Sequence, residues 1–262
     1  MKKYAFIVLL SWCLLLPVWS KQQTIVPLME QLQQSTCDSL KHALNEQTKA
    51  ALMDYLRANN AMKAPIDSIP YTGSVYDADS TLRIISWNYA LQDGSYGCNA
   101  LLIKSQRHKA PLLHAFSTQK AQLPNEKKRY TSKNWYGALY YRIIKQKNRY
   151  LLLGYSTYCP TTRVKLIEVL RYEKNKPYWG EKIFDIGKQQ PYRVVFEYSS
   201  RVQMLLHYDA MQEGFIFDHL SPEEPSMKGI KAYYGPDFSY DGLFYRKKKW
   251  MLQEDLNVKN AE

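Results

Sequence analysis

The chain has 262 residues, of which 45% are hydrophobic and 23% are charged. This composition excludes an intrinsically disordered chain, and the length suits one main domain, particularly an all-β one. The formal net charge of +12 raises the question of an anionic partner.

Residues 1–20 have the three-part pattern of a cleavable secretory signal. Lys2 and Lys3 precede an apolar run from Ala5 to Leu16, and Ser20 is a small residue at the predicted cleavage site. The run is shorter than the ~20 apolar residues that span a bilayer. We therefore expect cleavage, no transmembrane span in the mature chain, and a periplasmic, envelope-associated or secreted protein.

Much of the positive charge lies in predicted turns, for example in residues 145–149 and 246–249. Lysines in turns are most simply solvated hairpin tips. Export would also remove the chain from most nucleic acid, so we expect no nucleic-acid partner. An envelope protein, an anionic envelope surface or a glycan fits the expected location better.

Residues 21–63 form a predicted N-terminal helical segment. Apolar residues recur at helical spacing from Val26 to Leu44 and again from Ala50 to Leu56, which predicts two helices with a break near Asn45. Two prolines in residues 64–70 end the helical pattern. Residues 64–262 are then expected to form an antiparallel β domain.

The rest of the chain consists of short runs rich in β-branched and aromatic residues, separated by turn residues, which predict roughly ten to twelve strands. Tight turns favour antiparallel neighbours, because parallel strands need long crossovers. The predicted strand order is that of a meander. A sandwich, a bent sheet and a partial propeller are all compatible with this order. The predicted strands lie in residues 82–89, 100–103, 139–144, 150–155, 164–172, 178–184, 192–198, 202–208, 214–218, 238–245 and 250–254.

Cys37, Cys98 and Cys159 follow the predicted cleavage site. In an oxidising compartment two of them can form a disulfide. We favour Cys98 with Cys159, because both lie at the ends of predicted β segments while Cys37 lies in a helical pattern.

Several aromatic residues could stack on sugar rings or form a protein-binding face. Packing between neighbouring strands is the simpler interpretation, since strands are enriched in aromatic residues. The residues are Trp87, Tyr89, Trp135, Tyr136, Tyr140, Tyr178 and Trp179.

A group of carboxylates and a histidine lies in residues 209–241 and forms the candidate binding site. Paired carboxylates can act as acid and base in glycoside hydrolysis, if their separation is suitable. Local hydrogen bonds in turns and at strand ends are the simpler interpretation. The candidate residues are Asp209, Glu213, Asp218, His219, Asp237 and Asp241.

Asp237, Ser239 and Asp241, followed by a glycine, match the first half of a calcium-binding loop. The twelfth position, which should be a bidentate Glu, is Lys248. A lysine cannot bind calcium, so these residues are weak metal candidates, and we expect no cofactor. The sequence also contains no His-Glu-x-x-His and no Gly-x-Ser-x-Gly motif, which removes the recognisable zinc-protease and serine-hydrolase patterns.

The segments 217–222 (FDHLSP) and 233–242 (YYGPDFSYDG) resemble the C-terminal signature of an uncharacterised family of exported bacterial proteins. The resemblance implies an envelope or secreted location and a β-rich body, but brings no activity. The leading hypothesis is a non-enzymatic binding or assembly module, and the alternative is a carboxylate-dependent hydrolase acting on an envelope glycan or ester.

Overall fold

The computed structural model describes residues 16–187 and 189–257, with side chains from residue 24 onward. Residues 1–15 of the predicted signal therefore lie outside the described residues. The chain divides into two compact units, with the boundary between Thr72 and Gly73. Residues 64–72, which contain the predicted linker, belong to the first unit, where Ile66 and Ile69 are buried.

The first unit contains two helices, α1 (Leu16–Gln34) and α2 (Asp38–Ala58). The predicted break near Asn45 is wrong, because Asn45 is buried inside α2. The break lies instead at residues 35–37, where the Ser35 hydroxyl accepts a hydrogen bond from the Cys37 backbone. Short polar side chains compete in this way with helical hydrogen bonds. None of the described helices is long and apolar enough to cross a membrane.

The second unit is built from fourteen described strands, nearly all in antiparallel pairs, which confirms the predicted fold class. The exception is a short parallel pair between β9 and β14. In chain order the strands are β1 (Gly73–Tyr76), β2 (Leu82–Ala90), β3 (Tyr96–Gln106), β4 (Lys109–Thr118), β5 (Leu139–Gln146), β6 (Arg149–Ser156), β7 (Thr162–Glu173), β8 (Lys176–Trp179), β9 (Phe184–Asp185), β10 (Val194–Ser199), β11 (Leu206–Asp209), β12 (Gly214–Pro222), β13 (Tyr234–Arg246) and β14 (Lys249–Gln253).

Three of these strands, β1, β4 and β9, were not predicted. Strands β1 and β9 have four and two residues, too few for an alternating pattern to show. Strand β4 contains Pro111 and lies at the edge of its sheet, which is where a strand tolerates a proline.

The strands form three sheets. The first has the order β1-β2-β3-β4, the middle β10-β7-β6-β5 with β8 beside β7, and the third β11-β12-β13-β14-β9. Side chains alternate across β6: Tyr150 and Leu152 pack with the first sheet, whereas Leu151 and Leu153 pack with the third. A strand that is buried on both faces has a nearly continuous apolar sequence, as β6 does. The middle sheet therefore lies between the other two.

A buried ion pair lies in the core between the first and middle sheets. Arg193 Nε donates to Glu168 Oε2 over 2.7 Å, and both side chains are fully buried. The Tyr136 hydroxyl donates to the same Glu168 oxygen over 2.8 Å, and Arg193 Nη1 donates to the Lys128 carbonyl over 2.6 Å. The two opposite charges thus compensate each other inside the protein.

Candidate functional site

Three of the predicted site residues come together on β12 and β13. His219 Nδ1 lies 2.8 Å from Asp241 Oδ2, and His219 Nε2 lies 3.9 Å from Asp237 Oδ2. The contact is possible because β13 bulges here: Asp218 pairs with Tyr240, but Leu220 pairs with Pro236. The extra residues of β13 place both carboxylates beside the histidine.

The bulge is held by local hydrogen bonds. The Ser239 amide and hydroxyl both donate to Asp237 Oδ1, and the Asp255 amide donates to Asp241 Oδ1. Phe238, which lies between Asp237 and Ser239, has a φ of 69° and is 94% exposed. The hydrogen bond to Asp241 raises the pKa of His219. This cluster therefore connects β12, β13 and the segment after β14 through a half-exposed histidine.

The other three predicted residues lie elsewhere. Asp218 Oδ2 accepts a hydrogen bond from the Leu205 amide. Asp209 accepts hydrogen bonds from the amides of Met211 and Gln212, and the Gln212 amide in particular lowers its pKa. Glu213 ends the same turn. Asp209 and Glu213 lie before Gly214, and the strand extends by about 13 Å from Gly214 to Asp218 at 3.3 Å per residue. This length separates them from His219, so the six residues do not converge on one concave site.

Asp237, Ser239 and Asp241 make hydrogen bonds within the protein. Ser239 hydrogen-bonds to Asp237, while Asp241 faces His219. Within the described residues, no group of three or more His, Cys, Asp or Glu side chains could hold a metal ion.

The predicted bond between Cys98 and Cys159 is not formed. The three cysteines in the described part of the chain all have free thiols. Cys98 is buried, which raises the pKa of its thiol to about 12. The Cys159 sulfur instead contacts the Thr162 hydroxyl at 3.1 Å.

The aromatic residues considered as a ligand-binding face are buried, as their packing interpretation predicts. Tyr140 and Trp179 stack with ring centroids 5.2 Å apart, and the Trp135 indole donates to the Tyr140 hydroxyl over 3.1 Å. Trp87 and Tyr89 are at most 1% exposed. These residues stabilise the protein interior and offer no stacking surface to a ligand.

A pocket of about 360 Å³ lies between the edge strand β5 of the middle sheet and the third sheet. Its walls include four aromatic rings, two cationic side chains and Glu213. The Phe244 ring lies so close to Gly214 that a Cβ at that position would be 2.5 Å from it. Glycine at 214 is therefore required for the pocket wall. The aromatic and charged residues of the lining are Lys145, Tyr208, Glu213, Phe244, Tyr245, Arg246 and Trp250.

Two buried polar atoms of lining residues have no hydrogen-bond partner among the described residues: Trp250 Nε1, a donor, and Gln146 Oε1, an acceptor. Buried polar groups are nearly always hydrogen-bonded, so such exceptions need an explanation. Trp250 is only 2% exposed, and its ring lies 5.4 Å from that of Tyr245. Both atoms belong to residues of the pocket lining, but both are buried and have almost no accessible surface.

Four hairpin turns that carry positive charge lie at one end of the β unit. Strand register places the β5–β6 and β7–β8 turns at the same end of the middle sheet. Lys104, near the β3–β4 turn, lies over the Tyr172 ring at 4.1 Å. The pocket connects the end of β5 with the end of β13, which brings in the β13–β14 turn. We call these four hairpins, residues 106–109, 145–149, 173–176 and 246–249, the basic end.

The basic end contains eleven Lys or Arg residues and one carboxylate, Glu173. Three of the cations form ion pairs: Lys145 with Asp79, Arg149 with Glu181 and Lys249 with Asp185. The other eight form no ion pair with the described residues. These are Arg107, Lys109, Lys147, Lys174, Lys176, Arg246, Lys247 and Lys248, all exposed.

At the opposite end of the β unit four shorter turns have balanced charge, whereas the longer β4–β5 connection, residues 119–138, begins and ends there and contains five cations and one carboxylate. Residues 91–95, 157–161, 200–205 and 223–233 connect strands there and contain three cations and three carboxylates. Arg201 pairs with Glu223 over 2.6 Å. The four hairpins of the basic end therefore carry the densest positive charge, and the β1–β2 and β11–β12 turns at the same end add the carboxylates Asp77, Asp79 and Glu213.

The order of the turns in the sequence contains a signal for this distribution of charge. In an antiparallel meander every second turn lies at the same end of the sheet. The basic runs occupy such alternate turns, whereas the short intervening turns at 91–95 and 157–161 contain one charged residue, Asp93, and the long connection at 119–138 contains six.

Comparisons of the chain with protein-family models, with curated proteins and with solved structures found no match. The resemblance of segments 217–222 and 233–242 to a family of exported bacterial proteins therefore remains a prediction.

Proposed function

We propose that the protein is a non-enzymatic binding module, exported to a bacterial envelope, whose basic end binds an anionic envelope glycan. The concentration of eight unpaired cations on four hairpins carries the proposal. Like charges held close together repel each other, and a polyanion laid across them removes that repulsion. A surface of this kind attracts acidic polymers at a rate and affinity that fall with salt.

The backbone of the basic end supports a role for its charges. Lys147, Lys174, Lys247 and Lys248 have φ values of 54°, 47°, 51° and 66°. This left-handed region suits Gly and Asn, and costs other residues conformational energy. Glycine or asparagine would give a more stable turn at these four positions. The lysines found there therefore indicate a role for their positive charge.

A glycan fits this end better than a lipid surface. The four hairpin tips present Lys, Arg, His, Asn, Gln and Glu side chains, whereas proteins that lie in a membrane interface also insert apolar side chains. An aromatic-lined pocket opens beside the same hairpins, and aromatic rings give a large contact area to a sugar ring.

The hydrolase hypothesis has less support from the same geometry. Glycoside hydrolysis uses two carboxyl groups about 5–10 Å apart on either side of the sugar. Among the described pocket-lining residues Glu213 is the carboxylate, while Asp209 accepts hydrogen bonds within its own turn. His219, Asp237 and Asp241 are not part of the pocket lining.

The test is a binding comparison with the full chain and three probes: a linear polyuronate, a neutral dextran of similar length, and vesicles of anionic phospholipid. We expect binding to the polyuronate that weakens as salt increases, and none to dextran. If the protein binds the vesicles and neither polysaccharide, its partner is a lipid surface and not a glycan. Binding to no anionic probe at low salt, or release of new reducing ends from the polyuronate, would contradict the proposal.

A further inference from the structure

We infer that the acidic glycan extends from the basic end onto a second cationic surface, along the side of the β unit beside β8. This inference rests on the proposed function and adds a second part to its binding surface. Four exposed cations, which form no ion pair with the described residues, make up this surface. We call them the lateral cations: Lys127, Lys128, Arg129 and Lys182.

The backbone places the lateral cations next to the basic end. The amide and carbonyl of Tyr130 pair with those of Trp179, the last residue of β8, at 3.0 and 2.9 Å. Trp179 pairs with Leu170, and Leu170 pairs with Tyr150 at the start of β6, so this contact lies near the β5–β6 turn. Lys176, in the β7–β8 hairpin, is about 10 Å away along β8 at 3.3 Å per residue. The segment that contains three of the lateral cations therefore borders the basic end.

The buried ion pair holds this segment in place. Arg193 Nη1 donates hydrogen bonds to the carbonyls of Asn125 and Lys128, and Arg193 is itself fixed by Glu168 inside the core. The backbone is thus held on both sides of Lys127, while the side chains of residues 127–129 remain exposed. A binding surface whose backbone is already ordered loses less entropy when a ligand binds.

Tyrosine rings position two of the lateral cations. The Arg129 guanidinium lies 4.8 Å from the centre of the Tyr178 ring and 5.8 Å from that of the Tyr192 ring. Lys182 Nζ lies 5.3 Å from the centre of the same Tyr192 ring. A tyrosine ring attracts a cation without neutralising its charge, because the ring carries no net charge. These two cations are therefore held at the surface with their charge available to an anion.

The carboxylates near the lateral cations have partners within the protein. Glu126 Oε1 accepts a hydrogen bond from the Val195 amide over 3.1 Å, and Glu181 forms ion pairs with two arginines of the middle sheet. Glu173 accepts a hydrogen bond from the Tyr178 hydroxyl. The lateral cations thus carry an excess of positive charge, which attracts an acidic polymer.

The position of the lateral cations favours a polymer over a membrane. The basic end consists of hairpin turns, whereas the lateral cations lie beside the outer edge of the middle sheet, where β8 and β10 both pair with β7. The end of a sheet and its lateral edge face different directions. A flexible acidic polymer can follow both surfaces, whereas a flat membrane would contact mainly one of them. The ligand is therefore a glycan long enough to turn from the end of the β unit onto its side.

The first test identifies the lysines that the glycan covers. The full chain is acetylated at low salt with and without a linear polyuronate, and mass spectrometry measures the modification of each lysine. We expect slower modification of Lys127, Lys128 and Lys182 with the polyuronate, and no change at Lys228 and Lys231 of the opposite end. Protection of the hairpin lysines alone would overturn the inference and leave the proposed function standing. Protection of no lysine would contradict the proposed function itself.

Variants provide the second test. Lys127→Gln/Arg129→Gln should weaken polyuronate binding at low salt about threefold to tenfold, because two cationic contacts are lost. Lys127→Arg/Arg129→Lys keeps both charges and should bind as the unmodified chain does. The matched control is Lys228→Gln/Lys231→Gln, which removes two exposed cations from the opposite end, one of them 3.9 Å from a tyrosine ring centre.

The outcome depends on how these three variants compare. A loss of affinity in the first variant alone supports the inference. An unchanged affinity in the first variant, an equal loss in the matched control, or an equal loss in the variant that keeps both charges would overturn it. Thermal unfolding of each variant shows whether a loss of binding reflects a loss of folding.

Discussion

The β unit uses charged side chains in two contrasting ways. In the core, Glu168 and Arg193 form a fully buried pair at 2.7 Å, and Tyr136 adds a hydrogen bond. At the basic end, eight cations are exposed and form no ion pair with the described residues. The first arrangement contributes to folding only as long as both partners are present. The second contributes little to folding, since exposed charges have small effects on stability.

This difference separates residues that hold the fold from residues available to a partner. Changes at Glu168 and Arg193 should alter stability, whereas changes at the basic end should alter binding with little change in stability.

The largest expected effect is on stability, from Arg193→Met. The substitution leaves the buried Glu168 carboxylate without its counter-charge, which should lower the free energy of unfolding by about 3–5 kcal/mol. Urea denaturation followed by fluorescence measures the change. The double variant Glu168→Gln/Arg193→Met should recover part of the loss, and a loss below about 1 kcal/mol in the single variant would show that the pair is not buried as described.

The second expected effect is on binding. Replacing Lys147, Lys174, Lys247 and Lys248 with Gln should lower the affinity for polyuronate at low salt at least tenfold, because four cationic contacts are lost. The free energy of unfolding should stay within about 0.5 kcal/mol, as is usual for surface substitutions. Calorimetric titration measures the affinity. An unchanged affinity, or a strongly destabilised variant, would remove the distinction between the two kinds of charge.

The third expected effect is a pH dependence of stability that comes from His219. Its pKa is raised in the folded protein by the hydrogen bond to Asp241, above the unfolded value of about 6.5. The protonated histidine therefore contributes stability below about pH 6.5, and this contribution is lost as pH rises through the folded pKa. Since the side chain is 41% exposed, we expect a contribution below about 1 kcal/mol.

The measurement compares His219→Gln with the unmodified chain at pH 5.5 and pH 8.5. The difference in free energy of unfolding should be larger at pH 5.5. His108→Gln is a suitable control, because His108 lies on an exposed turn. A larger difference at pH 8.5 would contradict the described contact.

The smallest expected effect comes from Lys247→Asn/Lys248→Gly. Asn and Gly suit the positive φ values of this two-residue turn, so the free energy of unfolding should rise by up to about 1 kcal/mol. Affinity for polyuronate should fall at the same time. A variant that is less stable would show that the lysines fit the turn better than the backbone conformation indicates.

Much of the fold could be predicted from the sequence because its determinants are local. Alternating side chains and turn residues predicted the antiparallel strands, and prolines marked the end of the helices. The helix break was misplaced, because Asn45 is a polar residue that tertiary packing buries within α2. The layering of three sheets depends on which strand faces are buried together, and no local pattern contains that information.

The candidate site was predictable only in part. The sequence identified His219, Asp237 and Asp241, but their contact depends on the bulge in β13. It interpreted the lysines of residues 145–149 and 246–249 as separate hairpin tips, since their common position follows from strand register and from the packing of three sheets. The pocket was not predicted, because the residues that line it come from four strands and a turn that are far apart in the sequence.

The most direct test of the central claim compares two variants with the same change in charge. Lys247→Glu/Lys248→Glu alters the basic end, and Lys228→Glu/Lys231→Glu alters exposed residues of the opposite end. The account predicts that the first variant loses polyuronate affinity and has a shallower salt dependence, while the second stays close to the unmodified chain. Equal losses in both variants would mean that net charge alone drives binding, and would contradict a binding surface at the basic end.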